Sequence, residues 1–178
     1  MIIVSDTNIL GSLAAGNALT SLCQLYAKDR LVIPPAVRQE LEEGWARGHQ
    51  HLERVFLALQ AKQIEIAALS AEEELHTFNY PSDLGDGERE AMALVQSRQG
   101  TLLSNDADAV LYCRRRGLPV LNLPDLLRLF WIENILSQDE VRSLIAEMAR
   151  VESLSLKPKQ LAEIFASMPP ASGVVKKG

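Results

Sequence analysis

Ile2-Ile3-Val4-Ser5-Asp6 opens the chain with a short, branched apolar run that stops on a carboxylate. Such a run is too brief for a helix and reads as a buried strand with an acid at its carboxyl end. Thr101-Leu102-Leu103-Ser104-Asn105-Asp106 repeats the pattern later in the chain. Residues 31–33, 64–69 and 119–123 supply three more short strands. Helical spacing fills the intervals: Leu19, Leu22, Cys23 and Tyr26 within 13–28, then Val37, Leu41 and Trp45 after Pro34-Pro35. Further helices are expected over 51–61, after the capping residue Ser70, over 88–97 and 107–116, and from Pro124-Asp125 to 135. Asn8 and Gly11 interrupt the periodicity, so no helix is expected directly after Asp6. Strands alternating with helices predict a three-layer α/β/α domain with a mostly parallel central sheet.

The last third changes character. Residues 137–154 carry Val141, Leu144, Ile145, Met148 and Val151 at helical spacings, and 159–168 repeat the behaviour with Leu161, Ile164 and Phe165. The expected organisation is an α/β domain over 1–135, a C-terminal helical hairpin over 136–168 packed on the same domain, and a flexible basic tail over 169–178.

With 178 residues, 47% of them hydrophobic, the chain can build one sizeable core. Its 18 Lys and Arg against 23 Asp and Glu leave a formal charge of -5, which argues against a wholly basic nucleic-acid coat but permits local basic patches. Cys23 and Cys113 lie far apart without a histidine cluster, against a disulfide scaffold or structural zinc. Neither a secretory leader nor an apolar run of the ~20 residues that span a bilayer is evident. A cytoplasmic protein with no membrane association is expected.

Ligands of parallel α/β sheets sit beyond the carboxyl ends of the strands, where Asp6 and Asp106 fall. Glu40 lies early on the helix after Pro35, Asp86, Glu88 and Glu90 lie around the start of another, and Asp108 follows Asp106. All can converge on one crevice. Carboxylates gathered there repel, raise one another's proton affinity and stay ionised only beside cations. Hard oxygen donors select Mg²⁺ or Mn²⁺, one or two ions, and the matching chemistry is phosphodiester hydrolysis by an activated water. Each acid also has an ordinary reading: Asp6 ends a strand, Asp86, Asp106 and Asp108 cap helices, Glu40 joins the solvated Glu40/Glu42/Glu43 run, and Glu88 and Glu90 sit on a helix surface.

Val4-Ser5-Asp6-Thr7-Asn8-Ile9-Leu10, Pro34-Pro35-Ala36-Val37-Arg38-Gln39-Glu40-Leu41 and Leu103-Ser104-Asn105-Asp106-Ala107-Asp108 together resemble the PIN-domain nuclease family. The middle stretch, Leu84-Gly85-Asp86-Gly87-Glu88-Arg89-Glu90-Ala91, is similar to a glycine-and-acid variant of that family. The resemblance implies a PIN-like nuclease domain over 1–135, with Asp6, Glu40, Glu90 and Asp106 as metal-binding acids and Asp108 assisting. Glu88 and Asp86 compete with Glu90 for the middle position. Thr7, Asn8 and Asn105 would support the acids. The resemblance also implies an RNA substrate, an endoribonuclease activity of the toxin type, and an antitoxin or other protein partner. Other members process RNA, cut structured nucleic acid or have lost catalysis, so an inactive interaction module is the competing class. The appended helices offer an inhibitor groove, a homodimer interface or a substrate wall.

Arg38, Arg89, Arg114, Arg115 and Arg116 are candidate phosphate contacts, each with an ordinary surface role as its alternative. His49, His51 and His76 read as surface residues, and Ser5 and Ser104 lack a sequence argument for a serine triad. Gly85 and Gly87 are not followed by the Lys-Ser/Thr of a nucleotide-binding loop.

Overall fold

Alternation along four-residue strands divides the core in two. Ile3, Leu31, Ile33 and Leu103 face one apolar cluster, and Ile2, Val4, Val32 and Leu102 face the other. A sheet apolar on both faces must be covered on both. The structure, a computed structural model, describes residues 1–166. Its strands are β1 (Ile2–Ser5), β2 (Arg30–Ile33), β3 (Glu65–Ile66), β4 (Thr101–Leu103) and β5 (Val120–Leu121), all paired in parallel in the order β3-β2-β1-β4-β5. Helices α1 (Thr7–Ala15), α2 (Leu19–Leu25), α3 (Pro35–Ala46), α4 (Glu53–Gln60) and α5 (Ala71–Thr77) precede α6 (Asp86–Arg98) and α7 (Ala107–Arg116), and α8 (Leu123–Ile132), α9 (Gln138–Glu152) and α10 (Pro158–Ile164) follow. The result is a three-layer α/β/α fold.

Strand order matters most for function. The chain runs outward from β1 through β2 to β3, then returns to the other side of β1 for β4 and β5. The connections therefore diverge between β1 and β4, and such a switch point opens a crevice at the carboxyl ends. Ser5 pairs with Leu103, and the Asp6 N–H donates to the Leu103 carbonyl at 3.0 Å. The acids that end these two strands are thereby neighbours.

Several expected boundaries move. Asp6 itself caps α1, its carboxylate accepting the Ile9 N–H at 2.8 Å, so the helix starts at Thr7 despite Asn8 and Gly11. The expected single helix over 13–28 is two, α1 and α2, divided at Asn17, which adopts a left-handed φ of 58°. The Asn122/Asp125 capping box starts α8 at Leu123, shortening the last strand to two residues. The 88–97 helix starts earlier, at Asp86, with Gly85 as its cap.

On the first face, Val141, Leu144 and Met148 of α9 and Ile164 of α10 join the same core as Phe130 of α8. The Trp131 indole N–H donates to the Ile164 carbonyl at 2.8 Å, tying α10 to α8. The tail expected over 169–178 lies outside the described residues. No helix among them is long and apolar enough to cross a membrane.

Candidate active site

Asp6 occupies the seam of the switch point. It is 1% exposed, and its second carboxylate oxygen accepts the Asn105 N–H at 3.3 Å. Burial pushes its pKa up to about 7; the Ile9 N–H and the Ser104 hydroxyl pull against this, and the charge of Glu88 adds to it. Ser104, fully buried, also accepts the Asp106 N–H at 3.2 Å, so one hydroxyl serves both acids. Asp106 is half-buried and caps α7 through the Ala109 N–H at 2.7 Å. Ser104 thus bonds the Asp6 carboxylate and the Asp106 backbone, and Ser5 spends its hydroxyl on a neighbouring carbonyl; neither hydroxyl is hydrogen-bonded to a histidine.

Glu40 reaches the crevice from α3. Its carboxylate accepts the Thr7 hydroxyl and, at 3.2 Å, the Gly87 N–H of α6. Gly87 is required for that approach: a Cβ there would lie 2.7 and 2.9 Å from the two Glu40 oxygens. A Cβ on Gly85 would collide with the Glu88 carboxylate. The two glycines of the middle motif therefore make room for two acids, a steric role and not a phosphate loop. Gly87→Ala should keep or slightly raise the melting temperature, because alanine favours a helix by ~0.5–1 kcal/mol and only a side-chain tip must move. The displaced Glu40 should lower any activity of the crevice by about tenfold or more, as small misplacements of active groups do; paired melting and rate measurements check this.

The three middle acids part company. Glu88 is half-buried, and its pKa is raised by burial and then by the charges of Glu40 and Asp106. It is thus coupled to Asp6, Glu40 and Asp106 together. Glu90 turns to the start of α3, where Pro34 has no capping side chain, and accepts the Ala36 N–H at 2.9 Å. Burial raises the Glu90 pKa, the Ala36 N–H opposes it, and its neighbouring charges are Asp86, Glu40 and Glu74. Asp86 is exposed and pairs with Arg89. Asp108 is exposed and lines a separate depression with Leu84, Tyr112 and Arg115.

Of the arginines, Arg38 pairs with Glu42 at 2.9 Å, Arg114 lies 3.6 Å from Asp125, and Arg116 stacks over Tyr112. These occupy the outer surface of α3 and α7. A cleft of about 510 Å³ instead runs from Thr7, Asn8, Glu40 and Asn105 to Arg47, His49, His51 and Glu152. Its far half was illegible in the sequence: His51, expected on the surface, has a side chain only 10% exposed, held by Glu152 from α9.

Among the described residues, no three carboxyl, imidazole or thiol groups converge tightly enough to grip one ion. The acids frame an open site and not a closed cage. Their chemistry nonetheless fits a hard divalent cation: every donor is oxygen, and both Asp6 and Glu88 bear a cost of ionisation that a cation would relieve.

Fold and crevice define an α/β/α domain with a carboxylate-lined switch point. The chain belongs to the PIN-domain family, whose model (DUF3368, PIN domain) matches residues 2–169 and whose members are in general nucleases. A chain of VapBC2 from Rickettsia felis, in a structure bound to a DNA fragment from their promoter, is similar in fold, with a TM-score of 0.55 and 18% identity over 68% of this chain and 98% of that one. VapBC-1 from nontypeable Haemophilus influenzae gives a TM-score of 0.48 and 18% identity over the same shares, 68% and 98%. No curated protein matches the sequence.

Proposed function

We propose that this PIN-domain protein is a divalent-metal-dependent endoribonuclease, with Asp6, Glu40, Glu88 and Asp106 as the acids that hold Mg²⁺ or Mn²⁺. The observation that carries the reading is geometric: Asp6 and Asp106 follow adjacent strands at the β1/β4 switch point, and Glu40 crosses from α3 to accept the Gly87 N–H of α6, the residue before Glu88. A bound cation supplies charge stabilisation at the phosphate and lowers the pKa of an attacking water. The protein does the positioning. Thr7 and the Gly87 N–H orient Glu40, Ser104 orients Asp6 and Asp106, and the exposed Asn8 and Asn105 stand at the rim where a substrate backbone would pass. Glu90 acts as a positioning residue: by capping α3 it fixes the helix that presents Glu40. The family resemblance extends the proposal to a toxin-type role with an antitoxin partner.

The purified chain should cut single-stranded RNA with Mg²⁺ or Mn²⁺ and not in EDTA, with structured RNA and DNA as comparison substrates. Mn²⁺ at a hundred times its Kd should stabilise the fold by about 2.7 kcal/mol in thermal melting. Cleavage that persists in EDTA, or a melting curve indifferent to both metals, would sink the assignment. Absence of cleavage of any nucleic acid, with metal bound, would favour the interaction-module reading.

A further inference from the structure

Ser12 sits inside α1, where a serine hydroxyl commonly bonds back to its own helix. Here it donates instead to Glu152 Oε2 at 3.0 Å, across 140 positions of chain. His51 Nε2 lies 2.9 Å from the other oxygen, Oε1. A carboxylate only accepts, so the imidazole nitrogen is the donor. Gly11, beside Ser12, leaves the seat open: a Cβ would stand 3.2 Å from Glu152 Oε1. Two donors and a missing side chain thus enclose an anion with both of its oxygens held. The seat belongs to the same cleft as Thr7, Asn8 and Glu40, with Arg47 and His49 on its wall. Ser12 stands six residues along α1 from Asp6, roughly 9 Å of helix rise.

We propose that Ser12 and His51 form a phosphate subsite for the RNA backbone next to the metal-binding acids, and that the chain's own Glu152 fills this subsite until substrate displaces it. The proposal rests on the nuclease reading for the identity of the polymer, while the anion seat stands on its own geometry. A carboxylate held through both oxygens is a stand-in for two oxygens of a phosphate, and both make charge-assisted bonds to such donors. Glu152 is well placed to leave. It is the last residue of α9, followed by Ser153 at a left-handed φ of 56°. Its side chain, 24% exposed, swings out by a change of rotamer while Met148 before it and Leu154 after it keep the backbone packed on the core.

The test uses the full chain and two probes, inorganic phosphate and a fluorescein-labelled single-stranded RNA in EDTA. Phosphate should move the His51 ring resonances of the wild type saturably, and Ser12→Ala should weaken that binding several-fold. Glu152→Gln, which keeps the shape and loses the charge, should tighten phosphate and RNA binding by roughly tenfold, the scale of one charge-assisted bond. Adding Ser12→Ala to it should reverse the gain. His51 resonances that ignore phosphate, or Glu152→Gln binding RNA no tighter than the wild type, overturn the subsite. If Glu152→Gln melts too low to assay, the wild-type and Ser12→Ala phosphate titrations decide. Cleavage of RNA with metal but no phosphate response leaves the nuclease and removes the subsite; a phosphate response without cleavage of any RNA does the reverse.

Discussion

Replacing Asp6 by asparagine is expected to raise the melting temperature of the metal-free protein at pH 8 while abolishing cleavage. Burial lifts the Asp6 carboxyl from 3.8 to about 7, so ionising it near neutrality opposes folding. At 1.36 kcal/mol per pH unit the opposition is bounded by about 4 kcal/mol. Asparagine caps a helix as well as aspartate does, so the Ile9 bond survives. Its amide cannot accept from Asn105, which costs about 1–2 kcal/mol. The net gain of about 2 kcal/mol corresponds to roughly 4–8 °C for a chain of this length.

The pH dependence gives the sign. A folded pKa above the unfolded one contributes stability that is fully present below the unfolded value, near 3.8, and is lost as pH rises through about 7. The variant should therefore melt slightly below the wild type near pH 4, where the folded Asp6 is neutral and the lost Asn105 bond is the main difference, and rise above it toward pH 8. Calorimetry in EDTA at pH 4, 6 and 8 measures the divergence. A variant that melts below wild type at pH 8 contradicts the argument. Activity should fall at least about a hundredfold, the scale seen for groups that tune a metal site.

The second large effect separates two acids that lie two positions apart. Glu88→Gln removes the charge coupled to Asp6, Glu40 and Asp106, and should lower cleavage by at least about a hundredfold. Glu90→Gln keeps an oxygen that accepts the Ala36 N–H, so activity should stay within about threefold of wild type. Glu90→Ala removes the cap of α3 and should cost about 1 kcal/mol of stability. Initial rates with saturating Mg²⁺, read beside melting temperatures, make the comparison. Equal loss in Glu88→Gln and Glu90→Gln, without a melting change, would return Glu90 to the metal.

Much of the fold was legible because the signals were local. A four-residue run, Ile2 to Ser5, ending on Asp6, and a three-residue run, Thr101 to Leu103, ending near Asp106, are strands by length and by polar stop, and alternation of strand with helix selects a parallel sheet. The start of α1 was hidden, because the same Asp6 that ends the strand also caps the helix and outweighs Gly11. The middle acids were ambiguous for a different reason. Asp86, Glu88 and Glu90 share one helix start, and their spacing does not reveal which way each side chain turns. Glu152 and His51 carried no signal at all, since their meeting depends on α9 folding back across α1.

The sequence by itself therefore determined the layer architecture and the acids at the strand ends, consequences of local pattern, whereas the need for a glycine at position 87 came with the fold, since Glu40 reaches it from α3. Tertiary structure alone decided which acids share a crevice. Coulomb coupling and desolvation depend on distance and burial, and these exist only once β4 has come to lie beside β1 and α3 and α6 have closed over the gap. That closure sends Glu88 toward Asp6 and Glu40, and gives Glu90 to the backbone of α3.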